Sequence, residues 1–279
     1  MNLLKILDQL SDDKLFEADG ITRKAGFSQL ANFGKKAAVA AIPLGLSSFM
    51  SNSAKAEVKK SEATFAAAAA QDAVTDALNL ALTLEYLEDE FYRTGIAKAG
   101  LILPTDLTVI KQISKHETAH VAFLKAALGG AAIAKPTFDF TGGKGKGGGP
   151  FQDVFTNYTT FLALAQAFED TGVRAYKGQA GNVASNKAVL QVALQIHSVE
   201  ARHASQVRRM RGLKGWIVGN DGGGPAPQYT SASYSGEENV MQAGYDTSKL
   251  FGADVGSASF DETITGTLAA TIAGTFIVS

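Results

Sequence analysis

Cysteine is absent from this 279-residue chain, and histidine occurs only four times. Without thiols there is no disulfide scaffold, cysteine-held zinc, iron–sulfur cluster, rubredoxin-type iron, thiol nucleophile or thiol redox switch. Any metal site must therefore lean on carboxylates. An excess of either charge is also missing: 26 Lys and Arg stand against 27 Asp and Glu. That balance leaves no basic footprint for nucleic acid. Long apolar runs are lacking too. The longest, Ala37 to Met50, is broken by Pro43, Ser47 and Ser48. It falls short of the roughly 20 residues a spanning helix needs, so no stable transmembrane span is expected. With 46% apolar residues, a chain of this length can still bury a substantial core.

The same apolar run has the size of the central region of an export signal. Arg23, Lys24, Lys35 and Lys36 precede it, and Ala54-Lys55-Ala56 follows as a small-residue cleavage pattern. The long leader with Thr22-Arg23-Lys24 is similar to a twin-arginine signal, with Lys24 in place of the second arginine and Phe27 one position late. Residues 1–56 thus read as an export-signal-like leader, and the expected location is the periplasm. The alternative is a cytoplasmic chain that keeps these residues as an amphipathic helix. Cleavage after Ala56 would leave a mature chain beginning at Glu57, slightly acidic and otherwise unremarkable in charge.

From Gln71 to Gly212 apolar residues recur at helical spacing, as in Val74, Leu78 and Leu82, or Val189, Val192 and Ile196. Four helices are predicted, over about 72–96, 105–128, 151–178 and 185–211. Ser185 is a candidate N-cap, and Gly129 and Gly212 stand where C-terminal caps fall. Short links make the first and last pairs antiparallel hairpins. The middle link, Gly130 to Pro150, holds six glycines in Gly142–Gly149 and reads as a flexible crossover. The expected organisation is a leader over 1–56, an all-α four-helix bundle over 57–212 and an irregular Gly/Ser-rich extension over 213–279.

The chemistry-bearing residues repeat. Glu85 is followed seven residues later by Tyr92, and Glu169 likewise by Tyr176. Glu117 is followed three residues later by His120, and Glu200 by His203. The step from Glu85 to Glu169 and the step from Glu117 to Glu200 differ by a single residue, so a whole hairpin is duplicated. Seven residues span almost two helical turns, placing Glu85 and Tyr92 on one face about 10 Å apart. Three residues put Glu117 one turn before His120, letting both reach a single ion. Apolar neighbours such as Leu78, Leu82, Leu162 and Phe168 place the carboxylates on core-facing stripes. Buried ionised groups without compensation cost several kcal/mol each. Two divalent ions would balance four carboxylates, with two neutral imidazoles completing the donor set. Hard oxygen and imidazole donors suit iron or manganese.

On these four motifs, residues 72–212 resemble the ferritin-like superfamily, whose paired signatures are Glu-x6-Tyr and Glu-x2-His. The leader and extension resemble most its exported, desiccation-related branch. The resemblance implies a ferritin-like four-helix bundle of two antiparallel hairpins with a long crossover. It implies Glu85, Glu117, His120, Glu169, Glu200 and His203 as ligands of two Fe ions, or alternatively two Mn ions. Tyr92 and Tyr176 would donate hydrogen bonds to carboxylates on facing helices. The implied activity is ferroxidase or peroxide-detoxifying redox chemistry. The implied partners are the metal ions, O2 or H2O2, and further copies of the chain in a homo-oligomer.

Other residues weigh less. Glu88, one turn from Glu85, is the best candidate for an extra ligand, while Asp89, Glu90 and Asp170 read as solvated or hydrogen-bonding. His116 and His197 read as satisfied histidines. Arg202, Arg208, Arg209, Arg211 and Lys214 suit a helix C-terminus. Two rival functions remain. His116-Glu117-Thr118-Ala119-His120 matches a zinc-peptidase pattern but leaves Glu85, Glu169, Glu200 and His203 unexplained. A non-catalytic, metal-stabilised envelope or desiccation-protection protein is the other.

Overall fold

The computed structural model describes residues 52–220 and 230–278, with side chains from Ala70 onward. The leader before Asn52 lies outside the described residues. Four long helices dominate the described part: α1 Asn52–Ala97, α2 Leu107–Leu128, α3 Tyr158–Val183 and α4 Lys187–Met210. Helix α1 packs on α2, α3 on α4, and α1 on α3, giving two antiparallel hairpins joined by a long crossover. Among the described residues no helix is long and apolar enough to cross a membrane.

Boundaries differ from the sequence expectation in instructive ways. Helix α1 starts at Asn52 and not near 72, because the stretch before Gln71 includes Ala66–Ala70. Alanine has the highest helix propensity, yet a run of it shows no apolar periodicity. Helix α3 starts at Tyr158 and not at 151. The Asn157 side chain caps it, accepting from Thr159 N at 3.0 Å, and residues 151–156 form turns. At α4 the cap is Asn186, not Ser185: its Oδ1 accepts from Val189 N at 3.1 Å. Gly212 behaves as expected. At φ 73° it closes α4 with bonds from its own N–H to Arg209 O and from Leu213 N–H to Arg208 O, both 2.9 Å.

The crossover, expected to be flexible, is pinned. Asp139 accepts from Thr141 N, Thr141 Oγ1 and Gly145 N, and its own N–H donates to Phe276 O at 2.7 Å. A second bond, from Val278 N to Thr137 O, completes a short antiparallel bridge between the crossover and the end of the chain.

The extension is likewise folded onto the bundle. It contains a 3-10 turn Ser231–Tyr234, a small hairpin of β1 Met241–Gln242 and β2 Tyr245–Asp246, and helices α5 Ser248–Phe251, α6 Ala253–Ala258 and α7 Gly266–Gly274. It covers the face of α3 that the other helices leave open, so every residue from Thr160 to Tyr176 is buried. A helix buried on all sides has no solvated face for charges, and Asp170 and Arg174 are accordingly paired. Arg174 donates to Ser233 O, Ser235 O and Glu262 O and ion-pairs with Glu237 at 2.8 Å. Asp170 pairs with Arg208 and accepts from Tyr234 Oη at 3.0 Å. Asp170 is thus hydrogen-bonded and not solvated, and Arg208, in the last turn of α4 as expected, is buried as its ion-pair partner. At Gly178 the main chain of the extension approaches so closely that a Cβ would overlap Ile264 O.

Two apolar layers bracket the middle of the bundle. One gathers Phe91, Tyr92, Ile110, Ile113, Phe161, Phe168 and Val207; the other gathers Leu78, Leu82, Tyr86, Leu124, Tyr176 and Ile196. The gap between them falls at the repeated Glu and His positions.

Candidate metal centre

Every one of the six residues expected as ligands points into this gap. Glu85, Glu117, Glu169 and Glu200 have no solvent exposure, and His203 is 4% exposed. Their donor atoms form two groups, each within 4.8 Å: Glu85, Glu117, His120 and Glu200, and Glu117, Glu169, Glu200 and His203. Glu117 and Glu200 belong to both. Four helices thus contribute to one centre with the two-fold pattern of the repeat.

Both imidazoles turn Nδ1 inward. His120 Nδ1 lies 3.1 Å from Glu85 Oε2, 3.1 Å from Glu117 Oε2 and 3.0 Å from Glu200 Oε1. His203 Nδ1 lies 2.8 Å from Glu117 Oε1, 3.2 Å from Glu169 Oε2 and 3.4 Å from Glu200 Oε2. Most of this proximity is not hydrogen bonding. His203 Nδ1, Glu117 Oε1, Glu169 Oε2 and both oxygens of Glu200 are buried with no hydrogen-bond partner. Five orphaned polar atoms in one place contradict the near-universal pairing of buried polar groups. Their convergence from α2, α3 and α4, facing Glu85 of α1, fits cations held between them.

A family model for the ferritin-like domain matches residues 73–213. The chain belongs to the ferritin-like family. No curated protein matches it.

The ferritin-like domain fastens its carboxylates crosswise between hairpins. Tyr92 of the first donates to Glu169 Oε1 of the second at 2.5 Å, and Tyr176 of the second donates to Glu85 Oε1 of the first at 2.5 Å. Burial, followed by the facing carboxylate, pushes both phenols well above their usual range, so they remain donors.

Electrostatics show how much negative charge is packed together. Burial pushes Glu117 up to about 7 against the opposing contacts of His120 and His203, and Glu169 up to about 8. Burial also raises Glu200, followed by the charges of Glu117 and Glu85. Desolvation disfavours charge on His120 and His203, yet the surrounding carboxylates outweigh it and raise both far above the ordinary imidazole range. Without cations, protons must balance the charge.

Glu88 lies in neither donor group but is 2% exposed. Burial and the charges of Glu200, Glu169, Glu85 and Glu117 hold its carboxyl well above the usual range. Its counterpart in the repeat is Gly172, whose missing side chain makes room: a Cβ there would sit 3.4 Å from Glu88 Oε1. This asymmetry was readable by aligning the Glu85–Tyr92 segment with the Glu169–Tyr176 segment. Elsewhere Asp89 accepts from Thr118 Oγ1 at 2.7 Å, Glu90 pairs with Lys135, and His197 Nδ1 faces Val173 O at 2.9 Å. His116 joins neither group; its Nδ1 faces His203 Nε2 at 2.9 Å. The peptidase pattern therefore lacks its first zinc ligand at this centre.

Proposed function

We propose that this ferritin-like protein binds a dinuclear iron or manganese centre and uses it for redox chemistry on O2 or H2O2, as a ferroxidase or a peroxide-detoxifying enzyme. The carrying observation is that Glu and His donor atoms fall into two groups that share Glu117 and Glu200, with five buried atoms there left without a hydrogen-bond partner. In this reading Glu117 and Glu200 would serve both ions, Glu85 and His120 would help hold one, and Glu169 and His203 the other. When bound, such a pair supplies a redox couple and coordination positions for an oxygen ligand. The chain's own part is orientation and exclusion of water. Tyr92 and Tyr176 hold the two non-bridging carboxylates, the apolar layers above and below keep the centre dry, and the imidazoles present Nδ1. The leader-like segment supports an exported, periplasmic location.

The test is anaerobic loading with Fe(II) or Mn(II), elemental analysis, then O2 and H2O2 consumption. Two ions per chain with turnover is expected. Two ions without turnover favours the metal-stabilised, non-catalytic alternative, and no bound ion overturns the reading.

A further inference from the structure

The two donor groups are related by the repeat, yet their surroundings differ at one imidazole. His203 turns Nδ1 to the carboxylates and Nε2 outward to His116, with 2.9 Å between Nε2 and His116 Nδ1 and the rings nearly parallel at 11°. His116 stands on α2 directly before Glu117 and reaches across to α4. Its own Nε2 lies 2.7 Å from Gln112 Nε2, a contact that becomes N–H···O when the Gln112 amide is turned over. In the second hairpin the residue directly before Glu200, and so the repeat counterpart of His116, is Val199. It offers His120 no hydrogen-bonding side chain.

Proton placement follows from this geometry. A neutral imidazole carries one N–H, on either nitrogen. For His203 Nδ1 to offer a lone pair to a cation, its proton must sit on Nε2 and point at His116 Nδ1. His116 must then accept there and carry its own proton on Nε2, facing Gln112. The opposite tautomer would aim an N–H of His203 at Glu117 and Glu169 and close the position. Partners of the outer nitrogen fix the tautomer and orientation of ligating histidines.

We propose that His116 is a positioning residue that holds His203 with its Nδ1 lone pair inward, making Glu117–Glu169–Glu200–His203 the tighter of two unequal cation positions. This rests on the dinuclear reading above. The test titrates Mn(II) alone into the full-length protein under anaerobic conditions, following free Mn(II) by its electron paramagnetic resonance signal. Wild type binds two ions with separable affinities. H116A loses ~10–100-fold at the tighter position and leaves the other unchanged. H116N restores the affinity, because its Oδ1 can accept the His203 proton. Far-ultraviolet circular dichroism shows all three folded without metal, so a lost affinity is not a lost fold. A wild type that binds fewer than two ions overturns the dinuclear reading itself. Two wild-type ions with H116A unchanged, with both positions weakened alike, or with H116N as weak as H116A, overturns the role of His116 alone.

Discussion

Tyr176 and Glu85 are 91 residues apart in sequence and joined by a 2.5 Å hydrogen bond at the centre of the bundle. The bond runs from the second hairpin to the first, and Tyr92 returns it to Glu169. Each hairpin therefore orients a carboxylate it does not own. Tyr176→Phe leaves a fully buried acceptor without its donor, which costs about 1–3 kcal/mol. The same change frees Glu85 to rotate away from its position, and metal affinity falls ~10–100-fold at the Glu85–His120 group. Urea unfolding of the metal-free chain and Mn(II) titration read the two effects separately. Tyr92→Phe produces the mirror result at Glu169.

The convergence of the Glu-x6-Tyr and Glu-x2-His motifs was legible in sequence because helical geometry converts spacing directly into facing. Glu85 with Tyr92 and Glu117 with His120 need only the ordinary helical repeat of about 3.6 residues per turn to be placed. Hairpin pairing followed from short links. The network on the other side of α3 was not legible. Whether Asp170 meets water or Tyr234 depends on where residues 230–264 return, and no local pattern encodes that return. The same holds for Arg174, whose carbonyl partners lie far along the chain in Ser233, Ser235 and Glu262. The Ser185 to Asn186 shift has a smaller cause: adjacent residues can both cap, and backbone conformation decides between them. His116 is satisfied, as expected; that its partner is His203 depends on the distance between α2 and α4, which no local pattern carries.

Glu200 and Glu85 differ in how many donor groups they join, so their amides should behave differently. Glu200→Gln removes a charge from a crowded position whose two oxygens both lack hydrogen-bond partners. The amide keeps the side chain's volume and relieves repulsion by Glu117 and Glu85, so the metal-free protein stays folded. It nonetheless loses both ions, because each group loses a donor. Glu85→Gln weakens one position and retains the other. Elemental analysis beside thermal melting checks both, and a Glu200→Gln protein that still holds two ions would remove the bridging role.

The raised carboxyls make the metal-free protein pH-sensitive in a definite direction. Glu117 titrates at about 7 and Glu169 at about 8 when folded, against roughly 4.3 in an unfolded chain. Between those limits the folded chain binds more protons than the unfolded one. The stabilisation is complete below about pH 4.3 and disappears as pH rises through about 7 to 8. His120 and His203, also raised, act in the same sense: their contribution is present below about 6.5 and declines above it. Each extra proton held by the native state changes stability by about 1.4 kcal/mol per pH unit. Metal-free melting temperature therefore falls from pH 5 to pH 8. Cations displace these protons, so the melting increment on adding Mn(II) grows over the same interval, and calorimetry in buffers of different ionisation enthalpy detects proton release.

Arg174 ties the extension to the bundle, and its removal separates tail docking from metal binding. The guanidinium has no solvent exposure and is surrounded by the carbonyls of Ser233, Ser235 and Glu262 and the carboxylate of Glu237. Burial lifts Glu237 to about 7 even with the cation beside it. Arg174→Ala leaves that carboxyl and three carbonyls facing an apolar hole, a loss of about 3–5 kcal/mol by analogy with broken buried pairs. Arg174→Lys recovers only part, because an ammonium cannot reproduce the planar fork that serves three carbonyls at once. The donor groups of the candidate centre lie on the opposite face of α3, so on the dinuclear proposal the alanine variant still takes up two ions while limited proteolysis cuts between residues 230 and 264. Loss of the ions together with the tail would instead mean that the extension holds the centre together.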